Sequence, residues 1–320
     1  MAIIWNTENA IHLYRRAGFG AKTLDITAAL KAGHEATVDK ILKVGKVSDK
    51  LPGNVKELEP LQGWWVNLML KTKYPVLERL TLFWHNHFAT GFAKVGRTDY
   101  MHRQNSLFRT MGMGKFRDLV TAVAQDPAML IWLDNNTNTK GKQNQNFARE
   151  LMELFTTGVY DKDGNPNYTE TDVNESAKAF TGWKIKDDEF FFSANNHDFG
   201  SKTFKGQTGT FDGTDIINFL VVDPATVRRI PALLFGYFAY PIALSDPVLD
   251  SLAQTYLDND TALAPVLKQI FDERSVLLRR GEEHQHQGAG DLHREGAAHA
   301  QGPRELWGVS GERWCRTRCR

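Results

Sequence analysis

Segments with helix-spaced apolar residues, regularly broken by Gly, Pro and polar capping residues, most constrain what this chain can fold into. Residues 8 to 17 read as a helix stopped by Gly18, and residues 23 to 32 as a second, opened by Thr23 and stopped by Gly33. A third covers about 35 to 44. After a Pro/Gly linker at 51 to 53, Trp64, Trp65, Leu68, Met69 and Leu70 form a bulky helical face that ends before Pro75, and Pro75 opens the next helix. Further helical periods run over 98–111, 115–124, 145–157, 170–181, 214–221, 225–239, 247–258 and 261–271. The middle of the chain departs from this pattern. Glu189-Phe190-Phe191-Phe192-Ser193 and Lys202-Thr203-Phe204-Lys205, separated by a polar loop, read as the two strands of a hairpin. The expected fold class is mainly α, a single multi-helix domain with one short β-hairpin insertion.

The helical pattern stops before the chain does. From Leu278 onward there are eight arginines and no lysine, isoleucine or phenylalanine, and four of the ten histidines fall there. Such a segment buries little, and it reads either as a disordered basic tail or as a shifted reading frame. Back-translation into the neighbouring frame restores lysines, isoleucines and an amphipathic run over 278–301, which favours a frameshift between about Phe271 and Leu278. Resequencing that finds no insertion or deletion there would contradict it. The domain expectation is therefore a helical domain over 1–277 and a non-native or disordered tail over 278–320.

Charge and cysteine content narrow the function classes. Residues 1 to 278 carry 31 basic and 32 acidic side chains, a net charge of −1, so no broad basic field is present and nucleic acid is not an expected partner. Both cysteines, Cys315 and Cys319, lie in the tail, which leaves the body without a zinc–thiolate site or disulfide framework. No apolar run approaches the roughly 18 to 20 residues of a membrane helix, and residues 1 to 6 carry no export leader. A protein without a membrane span, cytoplasmic as written, is expected.

Several segments together carry a family resemblance. They are His12-Leu13-Tyr14-Arg15-Arg16-Ala17-Gly18-Phe19-Gly20, Leu80-Thr81-Leu82-Phe83-Trp84-His85-Asn86-His87-Phe88, Asp126-Pro127-Ala128-Met129-Leu130, Ala148-Arg149-Glu150-Leu151-Met152-Glu153-Leu154-Phe155-Thr156, Tyr168-Thr169-Glu170-Thr171-Asp172-Val173, Phe180-Thr181-Gly182-Trp183 and His197-Asp198. In this order, over about residues 8 to 275, the chain resembles the DUF1800 family. The resemblance implies a helical bacterial protein of unknown activity, with many exported relatives and a sulfatase-like protein as an expected partner, and it supplies no catalytic residues. Where the family usually has Pro-Asn-Glu-Asn, this chain has Gln143-Asn144-Gln145-Asn146, so one carboxylate is missing.

The residues themselves nominate a site. His85 and His87 suggest a metal pair, but positions i and i+2 of a helix point about 200° apart and cannot share an ion. Each also fits a buried, hydrogen-bonded core imidazole. Glu150 and Glu153 lie three apart on one polar stripe with Asn146 and Thr157. They read either as a solvated face with an Arg149–Glu153 ion pair or as a carboxylate pair that holds a divalent metal or divides acid and base roles. In His197-Asp198 the aspartate could orient an imidazole acting as base or ligand, although loop histidines are commonly just solvated. The functional expectation combines His85 or His87, Glu150, Glu153, His197 and Asp198 in a metal-assisted, hydrolase-like site for a small-molecule or polymer substrate, with Arg149 or Lys202 steadying negative charge. The alternative is a non-catalytic binding or assembly module in which these residues form a structural polar network. Asp134-Asn135-Asn136-Thr137-Asn138 fails the EF-hand pattern, and Asp161-Lys162-Asp163-Gly164-Asn165 reads as a turn before it reads as a calcium loop.

Overall fold

A computed structural model describes residues 4–51 and 55–273. Its helices follow the apolar periods closely: α1 (Thr7–Ala17), α2 (Thr23–Ala32), α3 (His34–Leu42), α4 (Leu58–Lys71), α5 (Pro75–His87), α6 (Phe92–Val95), α7 (Thr98–Met111), α8 (Phe116–Ala124) and α9 (Pro127–Trp132). The second half holds α10 (Asn146–Glu150), a π-turn at Leu151–Phe155, α11 (Glu170–Ala179), α12 (Gly213–Val221), α13 (Pro224–Phe238), α14 (Val248–Asp258) and α15 (Leu263–Asp272). The caps explain the sharp starts. Asn6 and Asp126 each accept the backbone N–H three residues on, and Thr169/Asp172 and Asp212/Asp215 form reciprocal capping boxes. The short helices α6 and α9 hold too few residues to show an apolar period in the sequence. The linker at 51–53, except for Leu51, and the tail over 278–320 fall outside the described residues.

The main core is aromatic and centres on the end of α5. Trp84, Phe88, Phe108 and Phe116 are fully buried with rings 5.6 to 6.4 Å apart, and Tyr256 of α14 joins them through Phe116. Trp84 donates its indole N–H to the Gly112 carbonyl at 2.9 Å. A Cβ at Gly112 would stand 2.6 Å from the Trp84 ring and 2.4 Å from the Phe108 carbonyl oxygen, so this contact requires glycine. A second core of Leu61, Trp65, Val95, Tyr100, Met101 and Ala128 lies beside it.

The body is mainly helical as expected, but its strands pair differently from the expected hairpin. β1 (Trp183–Lys186) pairs with β2 (Glu189–Phe192), and β3 (Lys202–Phe204) with β4 (Gln207–Gly209), both antiparallel. Each hairpin closes through two residues at positive φ, Asp187-Asp188 (52° and 63°) and Lys205-Gly206 (46° and 79°). Tight turns of this hand match strand twist, so each strand meets its immediate neighbour before the longer loop can bring β2 to β3. Among the described residues, no helix is long and apolar enough to cross a membrane.

The oxygen-rich loops tie the chain to itself. Asn135 and Asn138 donate side-chain N–H groups to the Phe180 and Ala177 carbonyls. The Asp161 carboxylate accepts the backbone N–H groups of Asp163 and Asn165, which makes a compact turn of the second loop.

Candidate functional site

The segment from Asn146 to Gly158 begins as an α-helix and widens into the π-turn at Leu151–Phe155. Widening displaces carbonyl groups from the α-helical ladder, and nearby threonines take them up. Thr156 Oγ1 donates to the Leu151 carbonyl at 2.6 Å, Thr157 Oγ1 to Met152 at 3.0 Å, and the Gly158 N–H also reaches Met152 at 2.9 Å. Two residues from other helices hold the far end. Arg229 of α13 donates from one terminal nitrogen to the Leu154 and Thr156 carbonyls at 2.8 and 3.1 Å, and His87 of α5 bonds the Phe155 carbonyl through Nε2 at 3.0 Å. Bonding to a carbonyl makes Nε2 the protonated nitrogen of a neutral ring. Burial first and then the Arg229 charge hold the His87 pKa down to about 3, against the Phe155 hydrogen bond.

This pinned segment carries Glu150 and Glu153, both half-buried. Burial, and then the Glu153 charge, push the Glu150 carboxyl above its ordinary value, with Arg149 pulling weakly the other way. The Arg149–Glu153 pair expected from the sequence does not form. Arg149 instead makes a two-pronged ion pair with Glu170 at 2.7 and 2.8 Å and reaches the Gln145 side-chain oxygen at 3.3 Å, because α11 packs alongside α10. Tyr168, half-buried nearby, is pushed up to about 12 by burial and then by Glu153. The result is two neighbouring carboxylates and a phenol, and no carboxylate–cation bridge to Glu150 or Glu153 occurs among the described residues.

The expected convergence of histidines on these carboxylates does not occur. His85 is buried on another face of α5, edge-on to Trp65 at 5.1 Å and to Phe108 at 6.4 Å. His197 is buried, packed between Phe192 and Phe199, and bonds through Nδ1 to the Thr181 carbonyl at 2.8 Å. Thr181, not Asp198, therefore orients the His197 ring; the Asp198 carboxylate accepts the Gly200 N–H at 2.8 Å and shapes the loop. Lys202 is also committed, donating to the Asp198 and Gly200 carbonyls. Among the described residues, no group of three or more His, Cys, Asp or Glu side chains could hold a metal ion.

The same stripe of α5 builds a network that sequence reasoning passed over. Fully buried Glu78 accepts Arg109 Nε at 2.5 Å, an Arg109 terminal nitrogen at 2.9 Å and Trp65 Nε1 at 3.2 Å. Arg109 also donates to Asn105 at 2.6 Å and lies 3.6 Å from Asp49. Glu78 and Arg109 are 31 residues apart, which no local spacing rule detects. Tyr168 lies in the Tyr168-Thr169-Glu170-Thr171-Asp172-Val173 segment that carries the family resemblance, whereas no local pattern singles out Arg229. Of two shallow surface depressions, one adjoins the carboxylate helix at Lys142, Gln143, Asn144, Gln145 and Asn146, and the other is lined by Thr7, Glu8, Ile11, His12 and Arg15, away from this chemistry. Neither depression contains Glu150 or Glu153.

No curated protein and no solved structure matches the chain. The family model described as "Protein of unknown function (DUF1800)" matches residues 12–286, a span that includes α5, the carboxylate helix and the His197 loop. The chain therefore belongs to the DUF1800 family.

Proposed function

We propose that this protein is an acid–base enzyme of the hydrolase type, in which Glu150, whose proton affinity burial and the Glu153 charge raise, is the general acid and Glu153 the general base. One observation carries the reading: two neighbouring half-buried carboxylates stand at the junction of α10 and the pinned π-turn while the adjacent arginine is paired elsewhere. Pairs whose surroundings drive their proton affinities apart are suited to dividing acid and base roles. Glu153 would take a proton from water as the water oxygen bonds to the electrophilic centre of the substrate. The leaving-group bond breaks with its electron pair, and that atom takes the proton from Glu150. Proton exchange with solvent then resets both groups. The substrate would be a small molecule or polymer with a hydrolysable bond.

A divalent ion can also use this pair. Glu150 and Glu153 offer two hard oxygen donors, while His85, His87 and His197 bond or pack elsewhere, so water and substrate would complete the coordination. The buried Glu78–Arg109 network favours a third reading, a non-catalytic binding or assembly module whose polar residues fix the core, for which no turnover is expected with or without metal.

Hydrolysis of ester, amide and glycoside substrates, measured with and without added Mg²⁺, Mn²⁺ or Zn²⁺, separates these readings. The acid–base reading expects metal-independent turnover that falls roughly 100-fold or more in Glu150→Gln, the usual scale of a lost general acid. Turnover that requires one ion, together with metal bound by the wild type and lost in Glu150→Gln, identifies the metal version. Turnover unchanged by Glu150→Gln contradicts both.

A further inference from the structure

We infer that Arg229, with the neutral His87 ring beside it, is the seat for an oxyanion carried by a ligand. The other arginines packed around the helices mostly have acidic partners: Arg149 with Glu170, Arg109 with Glu78, Arg228 with Asp250, Arg103 with Glu189. Arg229 has none among the described residues, although it is half-buried. Taking a guanidinium from water without a counter-charge is costly, and two backbone carbonyls offset only part of that cost.

The geometry leaves the rest of the fork to a ligand. Both carbonyl bonds, to Leu154 and Thr156, come from one terminal nitrogen of Arg229. The Nε–H and the other terminal nitrogen make a parallel pair of donors, which suits a carboxylate or phosphate bound through two oxygens. Gly158, at φ +76°, clears the stem: a Cβ there would stand 3.0 Å from Arg229 Cδ and Nε. His87 spends its N–H on Phe155 and stays neutral, so it neither repels Arg229 by charge nor supplies the missing counter-charge. Burial alone draws the Arg229 pKa down to about 10, the direction expected of a cation that lacks its anion.

The seat adds a ligand class, anionic molecules, and does not rest on the acid–base reading. The test is an NMR titration of the isotope-labelled full-length protein with inorganic phosphate and, separately, acetate. The expected result is a saturable shift of the Arg229 Nε–H signal with at least one probe at neutral pH and, with phosphate, a rise in the His87 pKa, since a bound anion cancels the Arg229 charge. Arg229→Gln should weaken binding roughly tenfold or more, Arg229→Lys should retain part of it, and Glu150→Gln should leave it intact. Response to phosphate alone or acetate alone identifies the anion. An unmoved Arg229 Nε–H with both probes overturns the inference, whatever the variants' stability, because that signal is read in the wild type. Equal His87 shifts in wild type and Arg229→Gln also overturn it.

Discussion

Single residues in this fold are costly when they place charge in the core. Glu78 and Arg109 are both essentially inaccessible and bond each other twice, while Arg109 Nη1 makes no hydrogen bond and lies 3.6 Å from Asp49. Removing one partner strands the other, so Glu78→Gln or Arg109→Met is expected to destabilise by about 3 to 5 kcal/mol. Replacing both with apolar residues of similar volume should cost much less than the sum. Denaturant unfolding of the two single variants and the double variant checks this, and additive losses would contradict it. His85 sits one turn along the same helix face as Thr81, so the sequence placed it correctly on a stripe with Glu78. Its surroundings were not legible, because Trp65 and Phe108 come from α4 and α7. His197 shows the same limit. Its neighbour in sequence, Asp198, looked like its partner, but the Gly182 corner brings the Thr181 carbonyl to the ring instead.

At the scale of elements, legibility followed length. α2 and α7 appear at the expected bounds because an apolar period of nearly three turns or more ends in clear stops. The β-strands give no such guidance. Gln207-Thr208-Gly209 has little strand character and forms β4 only because Lys205-Gly206 folds it back on β3. The carboxylate segment was legible as a helix but not as a π-turn, a distinction that depends on which hydroxyls and side chains donate to the displaced carbonyl groups. Thr156 and Thr157 do so from buried positions. Replacing either with valine keeps the shape and removes the hydroxyl, leaving a buried carbonyl without that donor, for an expected loss of about 1 to 3 kcal/mol. Thermal melts of Thr156→Val and Thr157→Val measure it, and unchanged stability in both would show that the hydroxyls do not support the turn.

Across the whole molecule, two buried groups pull stability in opposite directions with pH. Asp126 caps α9, accepts Gln104 Nε2 at 2.9 Å and is pushed up to about 7, chiefly by burial. Its folded pKa is raised, so the native state holds the proton more tightly; the contribution is complete below about pH 4 and is lost as pH rises through about 7. His87 is depressed to about 3, so its contribution is present above about pH 6.5 and is lost as pH falls through about 3. Between about pH 4 and 6.5 the two slopes oppose each other. Asp126→Asn should therefore lose less stability than wild type between pH 5 and 8, and His87→Gln should lose less between pH 6.5 and 4. Melting temperatures across that range decide it, and parallel profiles for wild type and both variants would contradict the assignment.

In the proposed reaction Glu150 and Glu153 divide the proton transfers, Glu150 giving its proton to the leaving group and Glu153 taking one from water. The most direct measurement is a ¹³C NMR titration of the two side-chain carboxyls in wild type and in Glu153→Gln. The account predicts that Glu150 titrates above a solvent-exposed glutamate, and that its pKa falls toward the ordinary value when the Glu153 charge is removed. A Glu150 that titrates like an exposed glutamate, with no response to Glu153→Gln, would contradict it.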